Sequence, residues 1–368
     1  MQGIFHRVKK KLELKDHSGN ITIGFDGFID EIIHVIKTKV DYEHYTRFSD
    51  INEFAGRIKE AAGYSTNLEL LPLQKKLGGN GPIMANALLS HNHNITYIGA
   101  LGKPKIHPVF KQFASRLKET ISIAQPGHTD ALEFKNGKIM LGKMKYLEQV
   151  NWQNLLNKIS IKKLRKICIK TDLFAFANWT MLPKVETIFS GLNQIITDTN
   201  NEPYVFIDLA DPQKRCDDDI AGVLKLLTRM ESNAKIILGL NKRESEVIAR
   251  ILHIETKNIV KRAVKIRENL KISYVVIHPL EGAAVSSERK EGWINGPYTE
   301  NPVLTTGAGD NFNAGFCHGI LKGLSELESL AVGVATSGFY VRNCHSPTKA
   351  ELISFLEKLS ENTQDYRL

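Results

Sequence analysis

Near its C-terminal end the chain carries Thr305-Thr306-Gly307-Ala308-Gly309-Asp310-Asn311-Phe312, small residues followed by one carboxylate. Glycines let a backbone take positive φ and approach a ligand closely. The apolar pattern that follows (Phe312, Ala314, Phe316, Ile320, Leu321, Leu324) predicts a buried helix. Its first turn offers unpaired N–H groups at the positive end of the helix dipole, which suits an anion. A carboxylate beside such a site repels a phosphate, yet it can take a proton from a hydroxyl while the amides stabilise a transferring phosphoryl group. This chemistry needs Asp310 as general base and Gly307, Ala308, Gly309 and the Asp310 amide as the anion hole. The plainer alternative is a Gly-rich turn with an acidic first turn behind it, and the short string alone does not separate the two.

The elements that must position these residues follow from apolar periodicity. Strands are expected at 21–25, 95–99, 173–177, 203–209, 234–240, 273–278 and 283–287. Helices are expected at about 83–91, 107–119, 184–197, 217–230, 242–251, 257–269, 308–323, 326–342 and 348–360. Several strands are nearly continuous apolar runs, as in parallel strands buried on both faces. The alternation predicts an α/β fold with a doubly wound, mostly parallel sheet flanked by helices. In such sheets ligands bind beyond the carboxyl ends of the strands, where Asp26, Asp30, Asn178, Asp211 and Asn241 fall.

Two regions stand outside the alternation. Residues 32–45 and 66–77 are β-compatible and flank an expected helix at about 50–62. Residues 128–146 read as a hairpin turning at Asn136-Gly137. The stretch 46–66 is an expected insertion within what is otherwise a single domain.

The 42% hydrophobic and 24% charged content is that of an ordinary globular chain. No apolar run approaches the roughly 20 residues of a membrane span, and Met1 to Asn20 lacks the apolar core of a signal peptide. The four scattered cysteines lack metal-ligand spacing and suit a reduced, cytoplasmic protein. The net charge of +9 gathers in Lys9 to Lys11, Lys162 to Lys166 and Lys257 to Lys271, which read as solvated helix faces. No basic stripe interleaved with aromatics supports nucleic-acid binding.

The string Thr-x-Gly-Ala-Gly-Asp, with Ala-Gly-Phe four residues after the Asp, resembles the last motif of the ribokinase-like (PfkB) carbohydrate kinases. The resemblance extends over roughly 290 residues: Ile21 to Asp30 looks like the family's first strand and sugar-binding Asp, and Lys76 to Gly81 like its Gly-Gly substrate loop. Tyr97 to Gly102, Phe206 to Pro212 and Leu240 to Glu246 are similar to further motifs in the family's order. The resemblance implies ATP- and Mg²⁺-dependent phosphorylation of a sugar hydroxyl beneath a small β-rich lid built from 32–45, 66–77 and 128–146. It assigns Asp30, Gly78, Gly79, Asn80 and Asp26 to the sugar, Asn241, Thr306 and Gly282 to the nucleotide, and Glu244 to Mg²⁺, reached through water; Asn178 is expected at the substrate or the phosphates from its position past a strand end alone. For Asn241 and Glu244 a plain helix cap is the simpler alternative. Family members often pair through their lids, so a homodimer is expected unless the 46–66 insertion covers the lid within one chain.

Departures from the pattern matter. Leu304 stands where an Asp usually helps hold a monovalent cation, so little K⁺ dependence is expected. Ile83 occupies a usual Asn position and Lys103 a usual acidic one, so the sugar is left open. Within the same fold a nucleoside kinase or a non-catalytic binding relative stays possible. An NAD-dependent oxidoreductase would need G-x-G-x-x-G after the first strand, and Gly24 to Glu31 fails that pattern.

Overall fold

The structure is a computed structural model and describes residues 2–14, 18–199 and 201–361. The chain runs through α1 (Gln2–Leu14), β1 (Asn20–Phe25), β2 (Phe28–Lys39), β3 (Tyr45–Arg47), α2 (Ile51–Glu60), β4 (Leu70–Gly78), α3 (Asn80–Ser90) and β5 (Asn94–Gly99). Next come α4 (Lys111–Ser115), β6 (Glu119–Ser122), β7 (Gly127–Phe134), β8 (Gly137–Lys143), α5 (Trp152–Lys158), α6 (Ile161–Lys170), β9 (Leu173–Phe176) and α7 (Glu186–Thr197). The remainder holds β10 (Tyr204–Asp208), α8 (Asp217–Met230), β11 (Lys235–Leu240), α9 (Lys242–Ile251), α10 (Ile259–Leu270) and β12 (Tyr274–Ile277). It closes with β13 (Gly282–Ser287), β14 (Glu291–Asn295), α11 (Ala308–Leu321), α12 (Glu326–Asn343) and α13 (Lys349–Glu361).

The large sheet has the order β14-β13-β12-β11-β10-β9-β1-β5-β6. Its strands from β6 to β12 pair in parallel, and β13 and β14 add an antiparallel edge. One face packs a core that includes Leu155, Leu164, Leu192, Leu224 and Ile266, from α5 to α8 and α10. The other face is covered by Phe5, Leu88, Phe316, Leu330 and Leu356, from α1, α3 and α11 to α13. The strands are therefore buried on both faces, which is why their sequences read as unbroken apolar runs.

A second, smaller sheet joins β3, β2, β7 and β8, with β4 also paired to β2. Side chains alternate across it, so Asp30 and Ile32 point one way while Glu31, Ile33 and Val35 point the other. Onto the Ile33 face packs α2, whose Phe54 contacts a satellite core of Val35, Phe48, Leu132 and Phe134. Asp50 caps α2 through the N–H groups of Asn52 and Glu53. The hairpin tip fastens it further, because Asn136 accepts from the Ile51 amide at 3.0 Å and donates to Asp50 at 2.8 Å. Helix α2 thus covers this face of the sheet.

Some expectations need correction. The hairpin loop is Lys135-Asn136, and Gly137 already pairs with Phe134, so the turn lies one residue earlier than the Asn-Gly signal suggests. The helix expected at 107–119 is a single turn at Pro108–Phe110 and the short α4, after which the chain becomes strand β6. The charged N-terminus forms α1, whose Ile4, Phe5, Val8 and Leu12 are buried while Lys11 reaches Glu328 at 2.7 Å. Among the described residues no helix is long and apolar enough to cross a membrane.

If α2 is what orders the smaller sheet, Phe54→Ala should cost about 3 kcal/mol by leaving a cavity beneath it. Hydrogen exchange should quicken in β2 and β7 while the central strands β1 and β10 keep their protection; uniform loss across both sheets would contradict this.

Candidate active site

Construction of the site starts at Asp26, just past β1. Its carboxylate is fully buried and accepts from the Asn80 amide (2.9 Å), the Gly81 amide (2.9 Å) and Asn178 Nδ2 (2.9 Å). Burial pushes it up to about 6 against those three donors. Asp26 therefore occupies the N-terminal N–H groups of α3. The resemblance placed this carboxylate on the sugar; here its two oxygens are engaged by the chain itself. Asn178 is engaged likewise: it is buried, donates to Asp26, and accepts from the Met181 amide at 3.4 Å.

Glycines allow this close assembly. Gly79 has φ +103°, and a Cβ there would meet Asp26 Oδ2 at 2.9 Å. At Gly78 a Cβ would collide with the Asp30 carboxylate, which lies against the end of β4. Asp30 is held up from the usual carboxylate range by burial, offset by a hydrogen bond with Thr129 and by the charge of Lys76.

Asn80 completes the link. With its amide on Asp26, its side chain donates to Asp310 Oδ1 at 3.0 Å. Asp310 lies buried in the first turn of α11, and burial pushes its carboxyl well above the usual range, with the charges of Asp208, Asp26 and Glu244 adding to the effect. The turn before it is tight: Gly307 has φ +90°, and a Cβ there would meet the Tyr340 hydroxyl at 2.8 Å. Here the anion hole differs from expectation. The Ala308 amide donates to Thr305 O at 3.1 Å, so it is not available. Those of Gly307, Gly309 and Asp310 have no acceptor among the described residues.

Two cavities meet at this turn. One, of about 580 Å³, lies beneath the smaller sheet and is lined by Asp30, Lys76, Ile83, Ala131, Leu304 and Thr306. The other, of about 560 Å³, lies against the β12–β14 edge and is lined by Asn241, His278, Gly282, Thr305, Ala308 and Gly309. Alternate residues of 304–306 thus face opposite cavities. Asn241 and Gly282 share one cavity, as expected for a common ligand, but Thr306 opens into the other and accepts a hydrogen bond at its carbonyl from Tyr340. Leu304 packs into the cavity of Asp30.

Glu244 and Asn241 form the capping box of α9: Asn241 Oδ1 accepts from the Glu244 amide (2.9 Å), and Glu244 accepts from the Asn241 amide (2.8 Å). The second Glu244 oxygen accepts from the Asp211 amide at 3.0 Å. The helix-cap alternative therefore describes both side chains, and Glu244 is no open metal ligand. Sequence reasoning missed Asp208 at the end of β10, which accepts from the Ala210 amide (2.8 Å) and Asn313 Nδ2 (3.0 Å). Burial and the charge of Glu244 push it up to about 8. Its signal was an acid closing the apolar run Tyr204-Val205-Phe206-Ile207.

A family model of prokaryotic ketohexokinases matches residues 2–359. The chain belongs to this family. A ketohexokinase from Haloferax volcanii is 26% identical over 351 residues, covering 94% of this chain and 93% of that one. The structure of Arabidopsis thaliana ribokinase, complexed with ribose and ATP, superposes with a TM-score of 0.66 at 14% identity, covering 93% of this chain and 99% of that one. A nucleoside kinase of the ribokinase family from Methanocaldococcus jannaschii superposes with a TM-score of 0.60 at 15% identity, covering 92% and 98%. The fold is ribokinase-like, and the protein is a carbohydrate kinase.

The Asp26 junction makes a stability prediction. Asp26→Ala leaves two backbone N–H groups and the Asn178 amide buried without an acceptor, so urea unfolding should show a loss of about 3 kcal/mol. A loss below about 0.5 kcal/mol would mean that α3 does not depend on this carboxylate.

Proposed function

We propose that this protein transfers the γ-phosphoryl group of ATP to a hydroxyl of a ketohexose. The observation that carries the reading is the position of Asp310: it directly follows the turn whose residues line both cavities, its amide and those of Gly307 and Gly309 are unpaired, and Asn80 holds its side chain. The cavity beneath the smaller sheet takes the sugar, and the cavity at the β12–β14 edge takes the nucleotide. The Haloferax volcanii relative's name favours a ketohexose as acceptor.

In this mechanism Asp30 and Asn80 orient the sugar, with the Gly78-Gly79 backbone close against it. Asp310 accepts the proton of the attacking hydroxyl as that oxygen bonds to the γ-phosphorus and the bond to the ADP oxygen breaks. The amides of Gly307, Gly309 and Asp310 stabilise the charge on the transferring group. The β2–β4–β7–β8 sheet acts as a lid that excludes water, a competing acceptor.

The buried carboxylates suit a divalent cation, because the charges of Glu244 and Asp26 raise the proton affinity of Asp208, those of Asp208, Asp26 and Glu244 raise that of Asp310, and a positive charge relieves that repulsion. Asp208 and Glu244 would hold Mg²⁺ through its water shell, since the oxygens of both already accept N–H groups. Mg²⁺ bound with the nucleotide supplies neutralisation of the β- and γ-phosphates.

Asp310→Asn keeps the shape of the helix start and removes the base. It should lower kcat by on the order of 10²–10⁴ with nucleotide binding retained, in an ADP-release assay over ketohexoses, aldoses and nucleosides. Turnover above about a third of wild type would remove Asp310 from this role, and a nucleoside as the best acceptor would overturn the sugar assignment.

The base works only when ionised, so kcat/KM should rise with pH along a limb well above the ordinary carboxylate range. The negative charge of Asp208 opposes ionisation of Asp310. Asp208→Asn should therefore move the limb to lower pH; a pH profile with an unmoved limb would separate the two groups.

A further inference from the structure

The smaller sheet carries a second cluster of ionisable groups on the face away from the Asp30 cavity, nearer the start of β2 than the α2 contact. His128 and Asp130 are two residues apart on β7 and so share a face, and in the parallel register of β2 and β7 Glu31 lies opposite Asp130. Glu31 Oε2 and Asp130 Oδ1 each lie 3.0 Å from the same ring nitrogen, His128 Nε2. One nitrogen carries at most one proton, so as a donor it serves one of these carboxylates and not both. Among the described residues this is the one group of three His, Cys, Asp or Glu side chains whose ligand atoms all lie within 4.8 Å of one another. Lys75 reaches the other Glu31 oxygen at 3.3 Å, and Lys143 reaches both Asp130 oxygens at 2.8 and 2.9 Å. These lysine side chains are 55% and 64% exposed, against 12% and 14% for the carboxylates they meet. Ion pairs to such exposed lysines are weak, and both lysines can turn into water while the inner oxygens stay in place.

We propose that Glu31 Oε2, His128 Nε2 and Asp130 Oδ1 bind a divalent transition-metal ion of the Zn²⁺ kind, which clamps β2 to β7. The spacing fits, since ligands about 2.1 Å from one ion stand about 3.0 to 3.4 Å apart in octahedral or tetrahedral arrangement. The donor set fits as well: one imidazole nitrogen and two carboxylate oxygens suit Zn²⁺, whereas Mg²⁺ favours carboxylates, phosphates and water. Three protein ligands leave the remaining positions to water on this half-buried face. The clamp stands back to back with the cavity beneath the sheet. Asp30, next to Glu31, hydrogen-bonds with Thr129, which stands between the two β7 ligands. The site is independent of which ligand each of the two cavities takes.

The test uses full-length protein treated with a chelator, dialysed, and titrated with Zn²⁺ by calorimetry without nucleotide. Wild type, Glu31→Gln and His128→Ala are compared. Wild type should bind Zn²⁺ at a single strong site, and each substitution should weaken that binding by at least about a hundred-fold, because losing a ligand costs no less than losing its outer-shell partner. Excess Mg²⁺ should not displace the Zn²⁺. On the same samples Zn²⁺ should slow hydrogen exchange in β2 and β7 of the wild type and in neither substituted protein. Failure of wild type to bind would overturn the proposal. Equal Zn²⁺ affinity in all three proteins would do the same, leaving an adventitious ion only, as would displacement by Mg²⁺. Should both substitutions fail to fold, wild type decides alone. Zn²⁺ must then slow exchange in β2 and β7 before any other strand, and protection elsewhere or nowhere leaves Glu31, His128 and Asp130 an ion-pair network.

Discussion

One buried carboxylate ties the site together. Asp26 takes the N–H groups that open α3 and the Asn178 amide, so three segments far apart in sequence converge on two oxygens. Through Asn80 the same junction reaches Asp310, which belongs to another helix. The Tyr97 hydroxyl donates to the Asp26 carbonyl at 2.8 Å and locks the turn from the β5 side. The separation between the sugar-side residues and the proposed base is therefore set by hydrogen bonds inside the core and does not depend on flexible side chains. Close approach requires glycine at 78 and 79, since a side chain at either position would press on a carboxylate.

A second constraint is electrostatic. Asp26, Asp208, Glu244 and Asp310 are all buried, and each is pushed toward its protonated form. Keeping four carboxylates out of water costs stability, and the amide and side-chain donors around them offset only part of that cost. Such concentration of perturbed acids is characteristic of a site whose work lies in moving protons and organising cations.

Much of this was legible in the sequence because the helix starts and strand ends carry their own signals. The apolar runs marked the parallel strands, and Gly307 to Asp310 marked the turn that opens α11. What could not be read was side-chain direction. Asp26 and Asp30 lie four residues apart past the same strand, yet one is committed to α3 and the other faces a cavity. Thr305 and Thr306 are chemically alike, and only the path of the turn sends them into different cavities. Glu244 carried two compatible readings, and the capping box is decided by where its oxygens point. Asp208 escaped attention within the Phe206 to Pro212 stretch, because the Asp211-Pro212 pair that ends it carried the resemblance. The short edge strands β6 and β14 were missed for a related reason, since they carry too little apolar sequence to show a period.

The wall at residues 304–309 separates two sets of parts that hardly overlap. One cavity is built from β2, β4, β7, β8 and α3, the other from the β12–β14 edge and α11, while α12 borders both. Mutations in β2, β4, β7 or α3 need not disturb the β12–β14 side, because the structure common to both cavities is confined to this turn and α12. The shape of one cavity can thus be altered with little effect on the other, and Ile83 and Leu304, both lining the cavity beneath the smaller sheet, are positions where a single substitution would do so.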